Sequence, residues 1–173
     1  IMNKKIIILG YMGSGKSTIG QFLSENTGIP FYDLDKYIEE KHQNSIKAIF
    51  ETKGEIFFRK LEHQYLNELL NLDEEMIISL GGGTPCYANN HLHFEKENVL
   101  SYYLKGSIKT LSERLKSEIE HRPLLNNTED DLETFIAKHL FDRSYFYNKA
   151  KYKINIDNKS IDEISQEIKN TLI

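Results

Sequence analysis

The chain of 173 residues is poor in three things: it has one cysteine, three prolines and no apolar run near the ~20 residues that a membrane span takes. Alone, Cys86 cannot close an internal disulfide, which excludes a cross-linked scaffold and fits a reducing compartment, so the cytoplasm is the expected location. The apolar run from Ile6 to Leu9 is too brief for the core of a signal peptide, and neither export nor a membrane is expected. Basic blocks are missing as well. The 22 Lys and Arg residues are spread along the chain against 26 Asp and Glu, for a formal charge of -4, so nucleic acid is not an expected partner. Scarce proline beside 39% hydrophobic and 28% charged residues excludes collagen-like and low-complexity chains. A chain of this length buries roughly 70% of the surface its unfolded form exposes, enough for one core. A single monomeric domain over residues 1–173 is the expectation.

Lys5 to Leu9 is a continuous apolar run ended by Gly10, the pattern of a strand buried on both faces. Helical spacing of Ile19, Phe22 and Leu23 follows until Gly28 and Pro30, and Phe31 to Leu34 restarts an extended run. Lys36 to Gln43, Ser45 to Lys53 and a longer segment after Gly54 read as helices, the last with Phe57, Leu61, Tyr65 and Leu69 as apolar positions. Met76 to Leu80 and Val99 to Leu104 read as the third and fourth strands, and Lys109 to Ile119 as a helix. Thr128, followed by three acids that suit a helix N-terminus, opens a helix running to about Tyr147. Tyr152 to Ile156 makes a fifth strand, and Ile161, Ile164 and Ile168 mark a terminal amphipathic helix. Such alternation predicts an α/β domain on a mainly parallel sheet, with its ligand at the carboxyl ends of the strands. His121 to Asn127 is linker-like and a place for a mobile loop.

Gly10 to Thr18 fits Gly-x-x-x-x-Gly-Lys-Ser/Thr, directly after a strand and before a helix. Glycines let the backbone curl until successive N–H groups point inward, and the unpaired donors of the next helix add positive potential there. Polyphosphate suits that geometry, with Gly13, Ser14, Gly15, Lys16, Ser17 and Thr18 as the nucleotide-binding candidates. Lys16 can neutralise charge on a transferring phosphate, and the Ser17 hydroxyl can ligate Mg²⁺. Asp33 and Asp35, two apart at the end of the second strand, are expected on one face, roughly 7 Å apart. Asp33 can serve the hydrated Mg²⁺ and Asp35 can accept a proton from a substrate hydroxyl, although either can instead cap the following helix.

Three arginines read blandly when taken singly. Arg59 stands four residues after Glu55, the spacing of a surface ion pair. Arg143 stands four before Tyr147 near a helix end, where a cation suits the dipole, and Arg122 precedes Pro123 in the loop segment.

Read together, the motifs resemble the shikimate kinase family over essentially the whole chain. They are the phosphate cradle, Asp33-Leu34-Asp35, Gly54-Glu55 with Phe58-Arg59, Gly81-Gly82-Gly83, Arg122-Pro123-Leu124-Leu125, and Arg143 with Tyr147. The resemblance implies a three-layer α/β/α P-loop kinase fold with a five-stranded sheet, a lid over about 117–128 and acceptor-binding helices over about 36–70. It implies an enzyme that moves the γ-phosphate of ATP to the 3-hydroxyl of shikimate with Mg²⁺ as cofactor. By that resemblance Lys16, Asp35 and Arg122 are catalytic. Asp35 engages the ring hydroxyls, Arg59 and Arg143 grip the carboxylate, and the Gly81, Gly82 and Gly83 backbone closes against the ring. A guanidinium is a planar fork that matches a carboxylate, and glycine admits the main chain to hydrogen-bond distance. Glu55 then reads as an orienting partner of Arg59. Arg122 reads as a lid arginine that descends on the phosphates.

The sequence departs from the family at the adenine end, where Asn155, Asp157, Asn158 and Lys159 follow the last strand and many relatives carry an arginine. Asn158 is the candidate adenine contact, and Arg114 reads as a helix-surface charge. Cys86 reads as packing, His91, His93 and Glu95 as a solvated helix or loop, and Tyr145, Phe146 and Tyr147 as helix packing. Asn148-Lys149-Ala150-Lys151 lacks the aspartate that completes a guanine-reading motif. Two other readings stay open from the sequence: a kinase for another small acid or nucleotide, and a nucleotide-dependent switch that binds a protein.

Overall fold

The computed structural model describes residues 3–118 and 131–172. Strand β1 (Lys5–Leu9) leads through α1 (Lys16–Thr27) to β2 (Phe31–Asp33) and then to α2 (Leu34–His42), α3 (Ile46–Lys53) and α4 (Glu55–Leu70). Strand β3 (Met76–Ser79) is followed by 3₁₀ turns at Thr84–Cys86 and Asn90–Glu95, then β4 (Val99–Lys105) and α5 (Ile108–Lys116). Helix α6 (Leu132–Tyr147), β5 (Tyr152–Asn155) and α7 (Ile161–Asn170) complete the described chain.

The strands form one sheet in the order β2-β3-β1-β4-β5, and every pairing is parallel. Central β1 has all five residues buried, as its unbroken apolar run requires of a strand covered on both faces. Ile6 and Ile8 pack with Ile19 and Leu23 of α1 and Ile164 and Ile168 of α7. Ile7 and Leu9, one residue out of phase, face the larger core with Leu34, Leu61, Leu115 and Ile136. Alternation along one strand thus builds the two helical layers. In α1, Gly20 gives the helix its closeness to the sheet, since a Cβ there would stand 2.3 Å from the Phe31 ring.

The sequence-based elements are all present among the described residues, with shifted ends. The second strand stops at Asp33 because the chain turns helical at Leu34, with Asp33 as N-cap accepting from the Lys36 N–H. The expected start at Thr128 lies outside the described residues; there α6 begins at Leu132, and Asp131 caps it through the Thr134 N–H. Both 3₁₀ turns were hidden from periodicity because each is one to two turns long. His91 and His93 depart from the solvated reading: His93 is 9% exposed, and the His91 ring lies 5.1 Å from that of Phe146. No helix among the described residues is long and apolar enough to cross a membrane.

Candidate active site

The loops after β1 and β3 leave the sheet toward opposite faces, opening a crevice at the carboxyl ends of the strands. A cavity of about 730 Å³ lies there, lined by the loops after β1 and β3, the junction of β2 with α2, the C-terminal end of α5 and Arg143 of α6.

Its floor is the loop after β1. Gly13 and Gly15 take φ of 82° and 93°, a left-handed backbone open to glycine at little cost, and the curl delivers Lys16 to the first position of α1. The Lys16 ammonium donates to the carbonyls of Gly10 and Tyr11 at 2.9 and 3.0 Å. Gly13, Gly15, Lys16, Ser17 and Thr18 all line the cavity. Ser14 does not: it is 1% exposed, its N–H is bonded to the Tyr11 carbonyl, and its buried hydroxyl has no hydrogen-bond partner among the described residues.

Asp33 and Asp35 both reach the cavity, but not as two residues on one face of a strand. Asp33 caps α2 and also accepts a 2.7 Å hydrogen bond from Ser17, so the capping reading and the metal reading fall on one carboxylate. Asp35, in the first turn of α2, is half-buried. Burial, then the negative charges of Asp33 and Glu62, push its pKa up to about 6, and the Lys16 charge only partly opposes them. Ser79 ends β3 in register with Asp33 and completes this wall.

Each glycine of the run after β3 faces a different charged side chain. A Cβ on Gly81 would stand 3.2 Å from Asp35 Oδ1, one on Gly82 3.1 Å from Arg143 Nη1, and one on Gly83 2.8 Å from both terminal nitrogens of Arg59. The run is a steric allowance for those three groups as well as a main-chain wall. Arg143 lines the cavity, sits over the Tyr11 ring and donates at 3.5 Å to the buried Tyr147 hydroxyl, which donates in turn to the Gly82 carbonyl.

Arg59 stands one layer back. It does not line the main cavity; it lies behind Gly83, on a smaller hollow of about 540 Å³. Its nearer partner is Glu62 at 2.7 Å, not Glu55, whose carboxylate is 3.6 Å from Nε and 55% exposed. Glu62 is 1% exposed and accepts on its other oxygen from Thr84 at 2.5 Å, which locks helix α4 to the glycine run. The sequence carried a signal for it, since Glu62 interrupts the buried stripe of Phe58, Leu66 and Leu69.

At the adenine end the structure changes one reading, that of Arg114. Asn158 is exposed in the loop after β5 and is not on the cavity wall. Arg114 is on it and donates to the Gly13 carbonyl at 3.3 Å, because neighbouring Leu115 docks α5 against Gly13. Arg122 and most of the expected lid lie outside the described residues; Ser117 and Glu118, at its start, line the cavity. Cys86 packs against the larger core, and burial pushes its thiol up to about 11, which leaves it a poor nucleophile.

A parallel sheet in this order, with a lysine-bearing glycine loop, paired carboxylates and a lined crevice, defines a P-loop kinase. The shikimate kinase family model matches residues 12–173. A shikimate kinase of Flavobacterium johnsoniae is 57% identical over 166 residues, covering 95% of this chain and 96% of that protein. Among solved structures, shikimate kinase from Bacteroides thetaiotaomicron superposes with a TM-score of 0.87 at 33% identity, covering 98% of each chain. The Acinetobacter baumannii shikimate kinase in complex with shikimate gives 0.86 at 31%, covering 98% of this chain and 93% of that one. The chain belongs to the shikimate kinase family.

Proposed function

We propose that this protein transfers the γ-phosphate of ATP to the 3-hydroxyl of shikimate. The observation that carries the reading is the meeting of Lys16, Asp35 and Arg143 at one cavity, with Arg59 directly behind its glycine wall, in a chain of this family. Inward N–H groups of the glycine loop and the Lys16 ammonium hold the phosphates and offset charge as it develops. Asp35 hydrogen-bonds the acceptor hydroxyl and takes its proton as the oxygen bonds to the γ-phosphorus and the bridging oxygen leaves with ADP. A carboxylate with a pKa near 6 is ionised at neutral pH yet more basic than an ordinary aspartate, which suits that transfer. Arg143 and Arg59 bind the acceptor carboxylate, excluding acceptors that lack one. Two hard oxygen donors, the Ser17 hydroxyl and the Asp33 carboxylate 2.7 Å apart, fit Mg²⁺ and would hold it beside the phosphates, where the bound ion supplies charge neutralisation.

ADP release measured with each acceptor tests the reading. It should rise with shikimate and stay at the acceptor-free background with gluconate, AMP and quinate. Stimulation by one of these and none by shikimate would overturn the substrate assignment, and release needing no acceptor would favour a nucleotide switch.

A further inference from the structure

The segment after the glycine run has an unusual backbone. Ala88 and Asn89 are consecutive non-glycine residues with φ of 51° and 57°, a conformation that an alanine side chain disfavours. Asn90 pins it from three atoms: its N–H bonds the Tyr87 carbonyl at 3.0 Å, its amide nitrogen donates to the Thr84 carbonyl at 3.0 Å, and its amide oxygen meets His63 Nδ1 at 2.8 Å. Such a turn throws the preceding side chain back toward α4. The Tyr87 ring consequently lies with its centroid 4.1 Å from Arg59 Cζ, and its hydroxyl donates to Glu55 at 3.3 Å.

Arg59 is therefore enclosed by Glu62 at one nitrogen, by Gly83 where a side chain would be, and by the Tyr87 ring. Its Nε is buried and, among the described residues, has no hydrogen bond, only the 3.6 Å approach of Glu55, so hydrogen bonds alone do not fix the guanidinium plane. A π face at this distance attracts the cation and orients its plane, so that Nη2 can turn toward an anionic ligand while Nη1 keeps Glu62. We infer that Tyr87 is a positioning residue for the acceptor carboxylate: seated by the turn at residues 88 and 89, it holds Arg59 in the orientation that grips the acceptor. This rests on the substrate reading above and adds a residue that touches no substrate.

The test is steady-state kinetics with shikimate and ATP on Tyr87→Phe, Tyr87→Leu and Tyr87→Ala, each with a thermal melt, and on Tyr87→Ala combined with Arg59→Ala. Tyr87→Phe keeps the ring and should stay within about twofold of wild type; Leu and Ala should raise the KM for shikimate roughly five- to tenfold, with the KM for ATP and the melting temperature held. With Arg59 already removed, Tyr87→Ala should add nothing. Tyr87 is 38% exposed, so loss of its ring leaves the core intact. An unchanged KM for shikimate in the Leu and Ala variants overturns the inference. So does a Leu variant equal to wild type, since bulk without a π face would then suffice, or an equal effect of Tyr87→Ala without Arg59. Wild-type protein inert toward shikimate would strike the substrate reading itself, an outcome visible before any variant is compared.

Discussion

Folding perturbs the ionisation of Asp35 in the cavity wall. Its unfolded value of 3.8 rises to about 6 in the folded chain, so between these limits the folded state binds the extra proton. Stability contributed by this residue is highest below about pH 4, falls as pH rises toward 6 and stays low above it. Asp35→Asn removes that penalty. The variant should be more stable than wild type by about 2 kcal/mol at about pH 8 and little changed at about pH 4, read from urea midpoints. The same substitution should lower kcat by ~10²-fold or more with the KM for ATP held, since it deletes the proposed proton acceptor and leaves the glycine loop. Equal midpoint shifts at both pH values would mean the carboxylate is not under that strain. Wild-type turnover would remove Asp35 from the mechanism. The identity of this residue was legible in the sequence, whereas its perturbation was not, because burial and the approach of Glu62, 27 positions along the chain, exist only after α4 packs beside α2.

The glycine run after β3 works as an element, and its three members are not interchangeable. Gly83 has an ordinary φ of -93°, so Gly83→Ala strains no backbone, and the atoms nearest its Cβ would be the far end of the Arg59 side chain, at 2.8 Å. Displacing a flexible guanidinium costs folding little and acceptor binding much. The expected outcome is a melting temperature near wild type with a KM for shikimate raised about tenfold and the KM for ATP unchanged, by steady-state kinetics. A variant that melts early with both KM values altered would assign Gly83 to the fold instead. Helix boundaries show what periodicity reads well and poorly. Buried β1 was plain from apolar spacing, whereas the α4 stripe was read correctly only at Leu61 and Leu69: Phe57 is exposed and Tyr65 partly so, and the buried positions beside them are Phe58 and Leu66. Asp33-Leu34-Asp35 was not plain either, because a three-residue strand running straight into an N-cap carries no period of its own.

At the scale of the whole molecule, stability against pH sums opposed contributions. His93 is buried in the second 3₁₀ turn, its Nδ1 has no hydrogen-bond partner among the described residues, and burial, reinforced by the charges of Lys96 and His63, pushes its pKa down to about 4 from 6.5. The unfolded chain takes up that proton first, so stability from this residue is full above about pH 6.5 and is lost as pH falls toward 4. Asp35 acts with the opposite sign over much of that window. Wild type should then show a shallow profile between about pH 4 and pH 6.5, and His93→Leu should expose the Asp35 contribution as a net gain in urea midpoint on acidification. A His93→Leu profile that still falls toward acid would place the sensitive group elsewhere. The sequence by itself determined the layered parallel fold, the glycine-lysine loop and the residue types of the proposed acceptor site, because periodicity, glycine placement and side-chain chemistry are local and survive without coordinates. Only the tertiary structure decided that Glu62 outranks Glu55 beside Arg59, that Arg114 and not Asn158 meets the cavity, and that Tyr87 closes over the guanidinium. The last two contacts join elements whose separation in the chain has no period to read; Glu55 and Glu62 both lie within helical reach of Arg59 on α4, and Thr84 docking on Glu62 separates them.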